Sequence, residues 1–244
     1  VVAIIVANHA AELVGITTVA GNAPLERTTY NARVMRDLLG LDAPVHSGAV
    51  RPLIAPPLAA TFVHGESGLD GADLPAPTRP LDSTDAVGFV IDTCRATEGT
   101  WLVPTGPLTN IALALRAAPD LADRIAGISL MGGGTFGNRD TMSEFNIWAD
   151  PEAAAIVFDC GAPVTMAGLD VTHQFLVTHE RIRDIDAIAT EFDSKLAAVL
   201  ADLFRFFADN YISRHDDLSG APLHDPLAVM AITHPNLFGS TRRH

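Results

Sequence analysis

Residues 100–131 read TWLVPTGPLTNIALALRAAPDLADRIAGISLM. The pattern predicts a strand over 100–104, a helix over 108–118 and a second strand over 125–131. Working outward, the same alternation repeats. Upstream, residues 2–11 read as a buried helix, and residues 13–20 (LVGITTVA) as a buried strand closed by Gly21-Asn22. Pro24 starts a helix that runs through Leu39 and ends at Gly40, and residues 44–47 make a short strand. Residues 50–82 are rich in Pro, Gly and Asp and read as a long loop, which inside a compact domain is more often functional than idle. Residues 84–97 are helical. Downstream, Asp150-Pro151-Glu152 opens a helix to Phe158 with Asp150 as N-cap, residues 163–166 form a strand, and residues 194–212 form a long amphipathic helix.

Strand-helix alternation of this kind means α/β: an open, mainly parallel sheet with helices on both faces, read as a single domain over residues 1–244. Ligands of such sheets bind outside the carboxyl ends of the strands. The polar residues at those ends are Asn22, Thr105, the 132–148 loop and the loop near Asp170.

Composition narrows the function classes. The 244 residues carry 16 Lys plus Arg against 29 Asp plus Glu, a formal charge of −13. Such acidity argues against nucleic acid as a partner. An apolar share of 48% with only 18% charged residues excludes intrinsic disorder. The opening apolar run, residues 1–7, is broken by Asn8 and His9, short of the roughly 20 residues a span needs, so no membrane partner is expected. Cys94 and Cys160 lie far apart and outside any C-x-x-C, which argues against a zinc site or disulfide framework. No basic segment precedes the first apolar run, so the expectation is a cytoplasmic protein without a signal peptide. The first Met is Met35 and the chain opens within a helix-like stretch, so further residues are expected upstream of Val1.

Three constellations could carry chemistry. Gly132, Gly134 and Gly137 form a G-x-G-x-x-G after a strand, which a nicotinamide dehydrogenase would follow with a helix; residues 138–150 read as non-helical. Ser143-Glu144-Phe145-Asn146-Ile147-Trp148 reads as extended, with Glu144 and Asn146 on one side, able to grip adjacent hydroxyls of a sugar, and Phe145 and Ile147 on the other. In His224-Asp225-Pro226, Asp225 is either the N-cap of a helix over 227–233 or a metal ligand, and His224 has the chemistry of a general acid. No G-x-S-x-G, H-E-x-x-H or G-x-x-x-x-G-K-[ST] is found, which lowers serine hydrolases, zincins and P-loop enzymes.

An ordered set of motifs spans nearly the whole chain. It comprises Val19-Ala20-Gly21-Asn22, His64-Gly65-Glu66-Ser67-Gly68-Leu69, Pro104-Thr105-Gly106-Pro107-Leu108-Thr109-Asn110, Met131-Gly132-Gly133-Gly134, Glu144-Phe145-Asn146, Ala149-Asp150-Pro151-Glu152-Ala153-Ala154 and His224-Asp225-Pro226. Together they resemble the inosine-uridine preferring nucleoside hydrolases. The resemblance implies a calcium-dependent enzyme that hydrolyses the N-glycosidic bond of ribonucleosides, on a Rossmann-like fold, as a homodimer or homotetramer. By the same resemblance, Asn22 lines the site and the Thr105 carbonyl and Asp225 bind calcium. Met131, Asn138, Glu144 and Asn146 contact the ribose, and Phe145 packs beside it. His224 lies at the leaving base, and His64 is a mobile-loop histidine near it. Phe207, Asn210 and Tyr211 end the long helix, and one of them is expected to face the base.

One feature of the family is absent: the N-terminal D-x-D-x-x-x-D-D cluster that supplies most calcium ligands and the general base. Its expected place is immediately upstream of Val1, and the chain also stops at His244 before the family's C-terminal helices, so truncation at both ends is expected. Residues 1–244 alone are therefore expected neither to hold calcium tightly nor to hydrolyse nucleosides. The alternatives are an inactive relative that binds a nucleoside or ribose, and, through the glycine loop, an NAD-dependent oxidoreductase.

Overall fold

The computed structural model describes residues 1–56, 68–213 and 219–239. The chain runs α1 (Val2–Ala10), β1 (Ile16–Thr18), α2 (Leu25–Leu38), β2 (Val45–Ser47), α3 (Ala86–Ala96), β3 (Trp101–Leu102), α4 (Thr109–Ala117), β4 (Gly127–Met131), α5 (Phe145–Ala149) and α6 (Pro151–Phe158). It continues with β5 (Val164–Ala167), α7 (Leu169–Thr172), β6 (Leu176–Val177), α8 (His179–Glu191), α9 (Lys195–Ile212), β7 (Ala221–Pro222) and α10 (Asp225–Thr233).

β1 pairs with β2 in parallel, and β3, β4 and β5 form a second parallel sheet with β4 in the middle. The predicted parallel α/β architecture is what the described residues show, with one addition: β6 and β7 pair antiparallel. Every residue of β4 is buried, and its alternation sorts two cores. Ile128 and Leu130 pack with α3, α4 and α6. On the other face Met131 packs with Leu227 and Ala228 of α10, and the Ser129 hydroxyl donates to the Ala228 carbonyl at 2.6 Å. Helices thus cover both faces, as the sequence predicted.

Two buried polar side chains pin the strand ends. Asn110, at the start of α4, accepts from the Ala49 N–H (2.9 Å) and donates to the Thr18 carbonyl (2.9 Å), tying the second parallel sheet to the first. Asp150 caps α6 through the Ala153 N–H (3.1 Å) and accepts from the Thr109 hydroxyl (2.5 Å) and the Leu53 N–H (3.0 Å). A buried carboxylate with three donors is well compensated for its lost hydration.

Several local expectations change. Helix α1 is apolar, yet none of its residues is fully buried, because it is covered chiefly on the side that meets α10. Residues 143–148 are not extended: α5 starts at Phe145, so Glu144 and Asn146 do not share a strand face. Helix α10 starts at Asp225 with His224 as N-cap residue, and no side-chain cap bond forms there, so of the two readings of Asp225 the capping one is not observed. No described helix is long and apolar enough to cross a membrane.

Candidate active site

A cleft of about 880 Å³ opens beyond the carboxyl ends of the parallel strands. Eight chain segments converge on it. Asn22 arrives from the turn after β1, Thr105 from the turn after β3 and Met131 from the end of β4. Asn138 comes from the glycine loop, and Glu144, Phe145 and Asn146 from the start of α5. His224 and Asp225 come from the start of α10. Of the residues given a role at the site by the family resemblance, His64 is the one not in this set, and it lies outside the described residues.

The wall beside β4 is built on one carboxylate. Glu144 is buried, and its oxygens accept from the N–H groups of Gly133 (3.0 Å), Asn146 (3.0 Å) and Ile147 (3.1 Å). It therefore caps α5 and anchors the glycine loop in one stroke. Gly133 sits at φ +71°, a conformation that side chains rarely adopt, and this turns its N–H toward the carboxylate. Burial pushes the Glu144 carboxyl upward, and the backbone N–H donors work against that shift. Asn138 adds a second tie, accepting from the Phe145 N–H at 2.8 Å. The Asn146 amide donates to the Met131 carbonyl at 3.1 Å, and lies 3.2 Å from Met131 Sδ and 3.5 Å from the Thr105 carbonyl. Asn146 thus bridges the ends of β3 and β4.

This arrangement removes the dinucleotide reading of the glycine loop. The Gly133 N–H is already taken by a carboxylate, which would repel a pyrophosphate, and the next helix starts only at Phe145. The loop folds instead onto α7, where the Asp170 carboxylate accepts from the Thr135 N–H (2.9 Å) and from its hydroxyl.

The start of α10 brings His224 and Asp225 to the same cleft. His224 Nδ1 lies 2.8 Å from the Thr172 hydroxyl, and its ring stands 5.7 Å from that of His173 and 6.5 Å from that of Tyr211. No hydrogen bond among the described residues reaches the Asp225 carboxylate. Burial pushes its pKa up to about 6; the positive charge of the Val1 amino group works against that shift, and the negative charge of Glu144 acts with it. An acid left without donors beside another acid is costly to ionise unless a cation joins them.

The oxygen chemistry here suits a hard cation. Asp225 offers a carboxylate and Thr105 a carbonyl, the donor types that calcium takes. Among the described residues no group of three His, Cys, Asp or Glu side chains surrounds a common point. These two protein oxygens are short of the six to eight that calcium takes and would not by themselves complete its shell.

Helix α9 adds Phe204, Phe207, Asn210 and Tyr211 to the cleft surface, so the three residues at the end of that helix singled out in the sequence are all present. Sequence reasoning missed Thr28 and Asn31 of α2, Asp70, and the Arg139–Trp148 pair, whose guanidinium carbon sits 4.5 Å from the indole centroid. Thr28 and Asn31 are one helical turn apart on one face of α2, a signal that the sequence did contain.

Comparison with known proteins agrees with this geometry. The profile of the inosine-uridine preferring nucleoside hydrolases matches residues 1–244. The pyrimidine-specific ribonucleoside hydrolase RihA of Escherichia coli is 43% identical over 231 residues, covering 93% of this chain and 73% of RihA. The structure of a purine-preferring ribonucleoside hydrolase from Gardnerella vaginalis superposes with a TM-score of 0.91 at 38% identity, over 97% of this chain and 77% of that one. A plant nucleoside hydrolase follows at 0.86 and 31% identity, over 97% and 75%. Strand-end cleft, motif order and whole-chain similarity lead to one conclusion: the chain belongs to the inosine-uridine preferring nucleoside hydrolase family and is a nucleoside hydrolase.

Proposed function

We propose that the cleft binds a ribonucleoside together with a calcium ion and hydrolyses the N-glycosidic bond to ribose and free base. The observation that carries this reading is the gathering of Thr105, Met131, Asn138, Glu144, Asn146, His224 and Asp225 on one cleft, from separate segments of the chain. In the reaction the oxygen of water bonds to C1′ of the sugar and the C1′–N bond breaks. The bonding pair leaves with the base, which gains a proton as the water loses one.

Asp225 and the Thr105 carbonyl would hold the cation. Calcium, when bound, attracts the vicinal diol of ribose and makes neighbouring water more acidic. Asn138, Glu144 and Asn146 hydrogen-bond the sugar, and their partners fix them before substrate arrives. The Glu144 carboxylate also stabilises positive charge as the sugar becomes oxocarbenium-like. Phe145 and Met131 exclude water beside the pentose, and Asn22 lines the floor. His224 gives the departing base its proton or hydrogen bond. The aromatic side chains of α9 face the base region. RihA and the Gardnerella vaginalis hydrolase differ in base class, so purine and pyrimidine nucleosides are both to be tried.

The test is release of reducing sugar from a panel of ribonucleosides by the full-length enzyme, with and without chelator. The expected result is hydrolysis of ribonucleosides, weak action on 2′-deoxy analogues, loss with chelator and recovery with calcium. Full activity in chelator contradicts the calcium assignment, and sugar release that requires NAD contradicts the reaction.

A further inference from the structure

We infer that Thr172 is a positioning residue that fixes the His224 imidazole against the departing base, an inference that rests on the role given to His224 above. Thr172 is fully buried in α7, and its hydroxyl lies 2.8 Å from His224 Nδ1. A helical threonine commonly turns its hydroxyl back to a carbonyl one turn earlier. Here the Thr172 N–H takes the Gly168 carbonyl at 3.1 Å, and the hydroxyl reaches 52 residues along the chain instead.

The segment that carries Thr172 is itself tied to two stretches of chain that reach the cleft. The Leu169 N–H donates to the Gly133 carbonyl at 2.9 Å, and Asp170 holds Thr135, so the turn is joined to the glycine loop beside Glu144. The Phe175 carbonyl accepts from the Leu223 N–H at 2.9 Å, so the same turn also holds the backbone leading into His224. With the backbone held there, the remaining freedom of His224 is rotation of its side chain. The Thr172 hydroxyl restricts it by holding the Nδ1 edge of the ring, which orients the other edge. A hydroxyl both donates and accepts, so either tautomer of the imidazole keeps the contact.

A purely architectural role would also place a buried hydroxyl on a partner. The two roles separate by leaving group. A natural base departs poorly without help, whereas p-nitrophenol leaves readily as its anion. The experiment compares inosine, uridine and p-nitrophenyl riboside with full-length wild type, Thr172→Val, Thr172→Ser, His224→Ala and the Thr172→Val/His224→Ala double variant. Melting temperature is read for each.

Thr172→Val is expected to lower kcat on the nucleosides roughly tenfold, within the range by which misplacing a reacting group slows a reaction, with KM little changed. On p-nitrophenyl riboside it should change kcat less than about twofold, since no proton donor is needed there. Thr172→Ser restores the nucleoside rate, and the double variant is no slower than His224→Ala. Equal loss on all three substrates by Thr172→Val, with no rescue by serine, overturns the inference while leaving the role of His224 intact. If His224→Ala itself slows all three equally, the role of His224 falls and the inference with it.

Discussion

Two Asp-Pro pairs open helices in this molecule, and they have opposite fates. Asp150 precedes Pro151 at the start of α6, and Asp225 precedes Pro226 at the start of α10. Asp150 is fully buried and accepts from Leu53, Thr109 and Ala153. Asp225 accepts no hydrogen bond among the described residues and faces the cleft. The first carboxylate is saturated by its own fold and welds strand ends together. The second is surrounded by protein that raises its pKa to about 6, a state that a bound cation would relieve. Identical dipeptides thus end in different surroundings, one saturated with donors and one facing the cleft, according to what the rest of the chain brings to them.

Asp225→Asn gives the largest expected effect on that contrast. Ribonucleoside hydrolysis should fall by about 10³-fold, the upper range for losing a preorganised electrostatic group, as read by kcat/KM on the full-length enzyme. Next comes Asp150→Ala, which should destabilise the fold by roughly 3 kcal/mol, since a cap and two further bonds to a charged group are lost together. Urea denaturation measures it, and a loss as small as that of a surface substitution would break the comparison. Glu144→Gln comes after both. Its amide cannot accept from all three N–H donors, so both stability and turnover should drop, stability by about 1–2 kcal/mol.

The smallest effect has the opposite sign. Because the Asp225 carboxyl is raised, the folded state without metal holds its proton to higher pH than the unfolded state does. Stability is therefore favoured at low pH and lost as pH rises from about 4 toward 6. Asp225→Asn removes that loss, so the variant should gain on the order of 1 kcal/mol at pH 7 in chelator. Thermal melts of both proteins at pH 4.5 and pH 7 check the sign.

Much of this was legible in the sequence. The run from Trp101 to Met131 gave strand, helix and strand at the observed places, because β4 is buried on both faces and its apolar run has no competing reading. Asp150 was recognisable as a cap because its partner N–H is local. Helix α5 was not, since it has one turn, no apolar periodicity, and a start fixed by contacts of Glu144 and Asn138 that involve the glycine loop. The exposure of Asp225 to the cleft depends on α10 packing against β4 and β5, which local sequence does not specify. Helix α8 was overlooked although Thr178 caps it and Ile182, Ile185 and Ile188 mark a helical stripe. The cleft residues Thr28, Asn31 and Asp70 needed the tertiary fold to be found.

The assignment of Asp225 as a cation ligand is tested most directly by calorimetric titration of calcium into the full-length enzyme, wild type against Asp225→Asn, with Asp159→Asn as an exposed control. The account predicts one calcium per chain in wild type and in the control, and an affinity at least about 100-fold weaker in Asp225→Asn. Equal calcium affinity in all three proteins would contradict it.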